Sequence, residues 1–311
     1  MTLTLMQLRV LSAVAGQGSV RSAARQLDMA QSGVTQQLQK LEQVVGGALF
    51  DRTNRGVTLT MLGERLLARA GTILGECTRA EHEMRQLQGD VSGMVSFGIA
   101  TEPLIRTLPA VLNDFHTRFP RVETHLMGGT SRKMISWVRK GSLDFAVALI
   151  SDSTDTTDLS VTALYPSVPA IICRKGHPLR NAQSIAALAG CSWIGTRPPD
   201  LSESQASRLI DLFAKNGLGR PNVVATTEAV FDTLHLVAQT DYLSLEPLLV
   251  TQHPFFERAL THIAIQEAIA GSEICLVHRA AVPLTPAAQQ MYAMLASHSR
   301  TIGAAASKAR V

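Results

Sequence analysis

The sequence predicts an all-α head, one long helix and an α/β body of two lobes. Three patterns carry this reading. Within the first sixty or so residues, apolar positions recur at helical spacing and strand-like runs are confined to one short hairpin. The next thirty or so keep an unbroken three-four repeat, and from residue 91 onward short β-rich runs alternate with helical stretches. The 311 residues, 46% hydrophobic and 17% charged, suffice for two or three domains with cores of their own. A formal net charge of +4 permits a polyanionic partner without demanding one.

Several function classes find no support. The opening run MTLTLMQLRVLSAVAGQGS has no early cationic cluster, and Arg9 interrupts its apolar residues, so it reads poorly as a secretory leader. No stretch approaches ~20 uninterrupted apolar residues, so a cytoplasmic protein without a membrane partner is expected. Cys77, Cys173, Cys191 and Cys275 lie far apart without CxxC spacing, which suits buried thiols better than a disulfide frame or metal site. His125, His177, His235 and His253 show no HxxxH or HExxH spacing, so no metal is expected. A Walker loop, a GxGxxG after a strand and a GxSxG are all missing, so neither catalysis nor a cofactor is expected.

In the head, Thr4 is a candidate N-cap for a helix with Leu5, Leu8, Leu11 and Val14 on one face, ended by Gly16 and Gly18. Ser19 is a second N-cap, opening VRSAARQL, which packs through Ala23, Ala24 and Leu27. After the loop LDMAQ, a third helix runs from about Gln31 to Val45 with Val34, Leu38, Leu41 and Val45 on one side. Two short helices with small residues at their contact and a tight turn between them describe a helix-turn-helix.

The opposite side of the third helix carries Gln31, Ser32, Thr35, Gln36, Gln37 and Lys40. Gln pairs bidentately with adenine, and Ser and Thr reach base edges or phosphates. A merely solvated polar face is the plain alternative. The stretch Leu49-Phe-Asp-Arg-Thr-Asn-Arg-Gly-Val-Thr-Leu-Thr60 favours the first reading, because it spells strand, basic turn, strand. Arg52 and Arg55 sit where a wing meets a phosphate backbone, and Gly56 suits the tight turn. Residues 1–60 hold six basic side chains against three acidic ones, so arrangement rather than charge makes the case.

The gapless run GSVRSAARQLDMAQSGVTQQLQKLEQVVGGALFDRTNRGVTLTMLGERLL resembles the N-terminal signature of LysR-type transcriptional regulators. The wing followed by Leu-Thr and Gly-Glu is its most specific part. The resemblance implies a winged helix-turn-helix DNA-binding domain over residues 1–60, with promoter or operator duplex DNA as partner. Gln31, Ser32, Thr35 and Gln36 would face the groove, with Lys40 beside them and Arg52 and Arg55 as wing contacts. It also implies a homo-oligomer, dimer or tetramer, a small organic effector, and RNA polymerase as a further partner. Two departures stand out: the family usually has Ser where this chain has Ala30, and often Pro where it has Ser32. Ala caps a helix less well than Ser by roughly 1 kcal/mol. Ser32 is a candidate to take over the cap, which would shift the helix start.

Thr60 is placed to cap a long helix reaching about Gln88, in a linker segment of residues 61–90. Leu66, Ala70, Ile73, Cys77, Ala80, Met84 and Leu87 alternate steps of four and three, the seam of a two-helix coiled coil. Arg65, Arg69, Glu76, Arg79, Glu81, Glu83 and Arg85 lie between them. On pattern alone, packing against the chain's own head remains open; the resemblance implies a dimerisation helix. Cys77 reads as a small buried residue on the seam.

Beyond residue 91, strands are predicted at 95–100, 122–127, 143–149, 169–174, 192–195, 223–227, 242–246 and 273–279, and helices near 103–118, 131–140, 202–215, 228–239 and 284–297. The alternation argues for parallel sheets, and eight strands suit two lobes. The resemblance implies a periplasmic-binding-protein-like effector domain over 91–297. Lobe I would be 91–163 with 271–297, and lobe II 164–270. The chain would cross between lobes near Ala163-Leu164 and Ala270-Gly271, leaving 298–311 as a loose tail.

In such sheets ligands sit where strand C-termini meet helix N-termini, because free N–H groups point into the cleft. Those junctions are Ala100-Thr101-Glu102, Gly128-Gly129-Thr130-Ser131, Gly195-Thr196-Arg197 and Thr226-Thr227. Their hydroxyls and amides suit a carboxylate or other anionic effector, with Arg197 as counter-ion and Phe231 and Tyr242 as apolar walls. Taken singly, each is as readily a cap, a turn or a core residue.

The sequence therefore predicts a non-enzymatic, sequence-specific DNA-binding regulator controlled by a small molecule. Two other readings stay open. One is thiol-based redox sensing on the same scaffold, with Cys173 and Cys191 the only close pair in sequence. The other is an enzyme or solute-binding protein, which would need a catalytic constellation or an export signal.

Overall fold

The computed structural model describes residues 2–53, 56–87, 92–196, 208–227 and 229–308. The chain divides into two compact units, residues 1–90 with 140–142, and the remainder from residue 91 onward.

In the first unit, α1 (Leu5–Gln17) begins in a capping box. The Thr4 N–H donates to Gln7 Oε1 (3.0 Å), and the Gln7 N–H donates to Thr4 Oγ1 (3.3 Å). Gly18 closes the helix in the left-handed conformation, and Ser19 caps α2 (Val20–Gln26) as expected. The turn into α3 (Gln31–Val45) places Asp28 at φ 52, a conformation that Asp tolerates better than most side chains. Val10, Ala13, Val14, Ala23, Ala24, Val34 and Leu38 form the core of the three helices; the small alanines let α2 and α3 approach closely. The helix α3 starts at Gln31 with Ala30 as its N-cap and no side chain capping it, so Ser32 does not take over that role.

Strands β1 (Phe50–Thr53) and β2 (Gly56–Leu59) pair antiparallel, Phe50 opposite Leu59. The long helix α4 (Met61–Leu87) follows. The seam expectation needs correction at its start. Ala70 is fully buried, and with Leu66 it packs against Leu8, Leu11, Leu41 and Leu49 of the same chain. The head needs an apolar lid over α1, and the first three turns of α4 supply it. Further along, Ile73, Ala80 and Met84 are exposed and Cys77 is half-buried. The Leu87 side chain lies outside the described residues.

In the second unit, lobe I is a five-stranded sheet ordered β4-β3-β5-β12-β6: β3 Gly93–Ile99, β4 Val122–Met127, β5 Phe145–Ile150, β6 Leu159–Ser167 and β12 Ser272–Arg279. Helices α5 (Thr101–Arg106), α6 (Leu108–Arg118), α7 (Ser131–Arg139) and α10 (Pro286–Lys308) belong with it. Phe97 and Phe145 stack at 5.1 Å in its core beside Phe115, Met134 and Met291. The sheet is mixed rather than parallel. β3 runs parallel to β4 and β5, but β12 is antiparallel to both β5 and β6. The reversal arises because β12 returns from the other lobe instead of following a crossover helix.

Lobe II comprises β7 (Pro169–Arg174), β8 (Ser192–Thr196), α8 (Arg208–Lys215), β9 (Asn222–Thr227), α9 (Val230–Gln239), β10 (Ser244–Pro247) and β11 (Leu260–Ile263). β7 is flanked antiparallel by β10 and β11, β8 pairs parallel with β9, and a parallel bridge between Trp193 and Leu243 joins the two groups. One face packs Trp193, Phe213 and Ile171, and the other packs Ile172, Ile194, Leu234 and Val237.

Two boundaries shift, and two strands are added. β6 pairs with β12 out to Ser167, opposite Ser272, so the first crossing falls at Val168 and not at Ala163-Leu164. β6 and β11 were not among the expected strands. Residues 298–308 continue α10 instead of forming a loose tail, and Ser299 is buried; residues 309–311 lie outside the described residues.

The bare cap at Ala30 gives a direct test. Ala30→Ser should stabilise the head by about 1 kcal/mol, measured as a higher unfolding temperature. No gain would mean that the helix starts elsewhere.

Candidate nucleic-acid interface and effector cleft

On α3, the side opposite buried Val34, Leu38 and Leu41 presents Gln31, Ser32, Gln36 and Lys40 to solvent, with Thr35 and Gln37 half-exposed. The Thr35 hydroxyl donates to the Gln31 carbonyl (3.0 Å), leaving its lone pairs outward. The wing root is tied to this helix through Glu42 Oε1, which accepts from the Leu49 N–H (2.9 Å). The Val57 N–H donates to the Gly18 carbonyl (3.2 Å), tying β2 to the turn between α1 and α2. Arg52 lies on β1 opposite Val57, but its side chain, and all of Arg55, lie outside the described residues.

At the strand–helix junctions of the second unit, most of the expected contacts are already engaged. Ala100 is buried and its N–H donates to the Val147 carbonyl (2.8 Å), so it offers no free amide. Thr101 is half-exposed at the start of α5. Glu102 is buried, its Oε2 accepting from Ser167 Oγ (2.8 Å). Burial pushes its carboxyl above the ordinary range, opposed by the Ser167 bond and by the charge of Arg106.

Thr130 caps α7 through the Lys133 N–H (3.4 Å), and Ser131 Oγ accepts from the Leu149 N–H (2.9 Å). Gly129 lies half-buried beside the Trp137 ring. Thr227 shares a 2.5 Å hydrogen bond with Thr233. Phe231 is 62% exposed, stacks on His235 and meets the Phe256 ring at a tilt; Tyr242 packs on the lobe II core. The Thr196 side chain and Arg197 lie outside the described residues.

Sequence reading missed two charged groups. Glu246, near the end of β10, is 6% exposed, and Arg208, the first described residue of α8, has a buried Nη1 with no acceptor. Burial pushes Glu246 up to about 7 against the pull of Arg208, and burial lowers Arg208 in turn. Only tertiary placement makes these two charges notable, since a single charge within a predicted helix or at the end of a predicted strand looks like surface.

Residues 5–64 match the family model for the bacterial regulatory helix-turn-helix protein, lysR family, and residues 88–300 match the LysR substrate binding domain. The chain belongs to the LysR family of transcriptional regulators. It is 26% identical over 270 residues to the HTH-type transcriptional regulator TdcA of Escherichia coli (strain K12), covering 87% of this chain and 85% of that protein. The crystal structure of full-length CbnR complexed with its target DNA superposes with a TM-score of 0.67 at 21% identity, covering 96% of this chain and all of that one. A full-length OxyR variant from Pseudomonas aeruginosa gives 0.63 at 18%, with 95% of each chain covered. At such identities these structures speak for the fold alone.

This LysR regulator is therefore a DNA-binding protein with an effector domain, and its matched families and relatives are regulators, not enzymes. No helix among its described residues is long and apolar enough to cross a membrane. The redox alternative gains nothing from the geometry. All four cysteines are free; burial pushes the Cys173 thiol up to about 11 and raises Cys191 too, the reverse of what thiolate chemistry requires.

Glu246 also sets a pH dependence for this LysR regulator. Its folded-state pKa lies above the ordinary 4.5, so the native protein holds the extra proton between about 4.5 and about 7. Stability contributed by that proton is lost as the pH climbs through this window, about 3 kcal/mol in full above it. Glu246→Gln should therefore be more stable than the parent at pH 8, with the difference vanishing toward pH 4.5. Thermal melts across that range check it, and a pH-independent difference would contradict the assignment.

Proposed function

We propose that α3 enters the major groove of duplex DNA, with Gln31, Ser32, Thr35 and Gln36 reading base edges and Lys40, Arg52 and Arg55 holding phosphates. The observation that carries this is the one-sided polarity of α3: a neutral hydrogen-bonding face backed by buried Val34, Leu38 and Leu41, with the wing root fastened to the same helix. Two chains pair along the part of α4 that the head does not cover, through Ile73, Cys77, Ala80, Met84 and Leu87. The paired heads then read half-sites about one helical turn, or a multiple of it, apart. Tetramers, contact with RNA polymerase and a cytoplasmic location complete the reading.

The α/β unit binds a small, carboxylate-bearing effector between its lobes. A ligand shifts the arrangement of the heads only if it binds two arrangements with unequal affinity. Thr101, Gly129, Thr130, Ser131 and Thr227 all keep some accessible surface, and because Thr130, Ser131 and Thr227 already spend their hydroxyls within the protein, Thr101 and Gly129 are the first candidates to meet it.

Gln36→Ala should relax discrimination among operator sequences. Arg52→Ala should weaken binding to all duplexes and lower the slope of log affinity against log salt by about one unit. Footprinting with salt titration separates the two, and equal effects would refute the division of roles. Ile73→Glu combined with Met84→Glu should weaken self-association by at least tenfold in sedimentation without lowering the melting temperature, because both side chains are exposed in the single chain. An unchanged oligomer would remove this stretch of α4 from the interface.

A further inference from the structure

We propose that lobe II carries a recognition pair for an α-amino-acid-like zwitterion, Arg208 taking its carboxylate and Glu246 its protonated amine. The inference rests on the reading of the α/β unit as effector-binding and names the chemical class of that effector.

Placement comes first. Glu246 sits opposite Ala170, two residues before Leu248, whose N–H donates to the carbonyl of Val168 (2.8 Å) at the crossing between lobes. β8 runs parallel to the chain entering β10, so both end at that same edge, and Arg208 is the first described residue of α8, the next described helix along the chain. Carboxyl ends of parallel strands are where α/β sheets bind ligands.

The chemistry comes second. Glu246 is 6% exposed, and no hydrogen bond or ion pair reaches it among the described residues. Arg208 Nη1 is buried without an acceptor, and the two attract one another without a direct hydrogen bond. Ser244, two residues before Glu246 and so on the same face of β10, is fully buried with its hydroxyl also unpartnered. Buried polar groups are ordinarily satisfied, so two buried unpartnered atoms, Arg208 Nη1 and Ser244 Oγ, together with a buried carboxylate that no described hydrogen bond reaches, are an exception that needs a partner. A simple carboxylate would satisfy Arg208 and be repelled by Glu246, and a simple amine would do the reverse. A ligand bearing both charges a few bonds apart completes both at once.

The test is calorimetric titration of the full-length protein with each of the twenty L-amino acids, with the matching 2-hydroxy acids and with the matching decarboxylated amines. At least one amino acid should bind, its hydroxy acid and amine at least tenfold more weakly. Glu246→Gln and Arg208→Met should each weaken the amino acid at least tenfold, while Glu246→Gln does not lower the melting temperature of the unliganded protein at pH 8. Binding of a hydroxy acid alone, equally by parent and variants, overturns the zwitterion pair and leaves the effector reading standing. No binding by any member of the three series overturns the pair as well, and retained operator binding in that case shows that the DNA-binding reading survives.

Discussion

The head is organised around one close approach, that of the first turn of α4 to the carbonyl of Leu49. A Cβ at Gly63 would lie 2.1 Å from that oxygen, so no residue but glycine fits without moving the backbone. The same turn is held by Thr60, whose N–H donates to the Leu49 carbonyl (3.0 Å) and whose hydroxyl donates to the Ala48 carbonyl (2.8 Å) and accepts from the Gly63 N–H (3.0 Å). Leu49 in turn donates to Glu42 on α3. Wing root, recognition helix and long helix thus meet at one small polar joint, and its orientation fixes where the polar face of α3 stands relative to the wing. The Leu-Thr and Gly-Glu that made the sequence signature specific are the residues of this joint.

Legibility in the head was high because its signals are local. Caps at Thr4 and Ser19, the apolar spacing of α3 and the pairing of the two short strands β1 and β2 each depend on a few neighbouring residues. The seam of α4 was legible only in part. A heptad repeat says that a helix has an apolar stripe, not which surface covers it. Leu66 and Ala70 are claimed by α1 of the same chain, and only the later positions remain for another one.

In the α/β unit, residues that follow a two- or three-four-residue rhythm were found, and those whose role is set by distant pairing were not. β11 has only four residues, and β6 carries Pro166 and alternating polar positions that suit an edge strand but dilute its signal. The mixed direction of the sheet could not be read from alternation, because β12 joins β5 and β6 only after the chain has built the whole second lobe. At the junctions, the sequence shows hydroxyls at strand ends but not which of them the fold itself engages. Thr130 and Ser131 accept from the backbone N–H groups of Lys133 and Leu149, and Thr227 bonds the Ala229 carbonyl and the Thr233 hydroxyl.

What remains at the boundary between lobes is a set of restraints on their motion. Glu102 fastens α5 to Ser167, the last residue of β6, and Ile105 on the same helix packs against the lobe II cluster that contains Ala170 and Leu234. A short helix is therefore bonded to one lobe and packed on the other, immediately beside Val168. Any change in the angle between lobes must either carry α5 along with β6 and uncover Ile105, or break the bond at Glu102. The second route exposes a carboxylate that burial already disfavours, which lowers its cost; the first exposes apolar surface and costs more with every Å² uncovered. The bond at Glu102 and the packing of Ile105 are therefore the two terms that any change in the angle between the lobes must overcome.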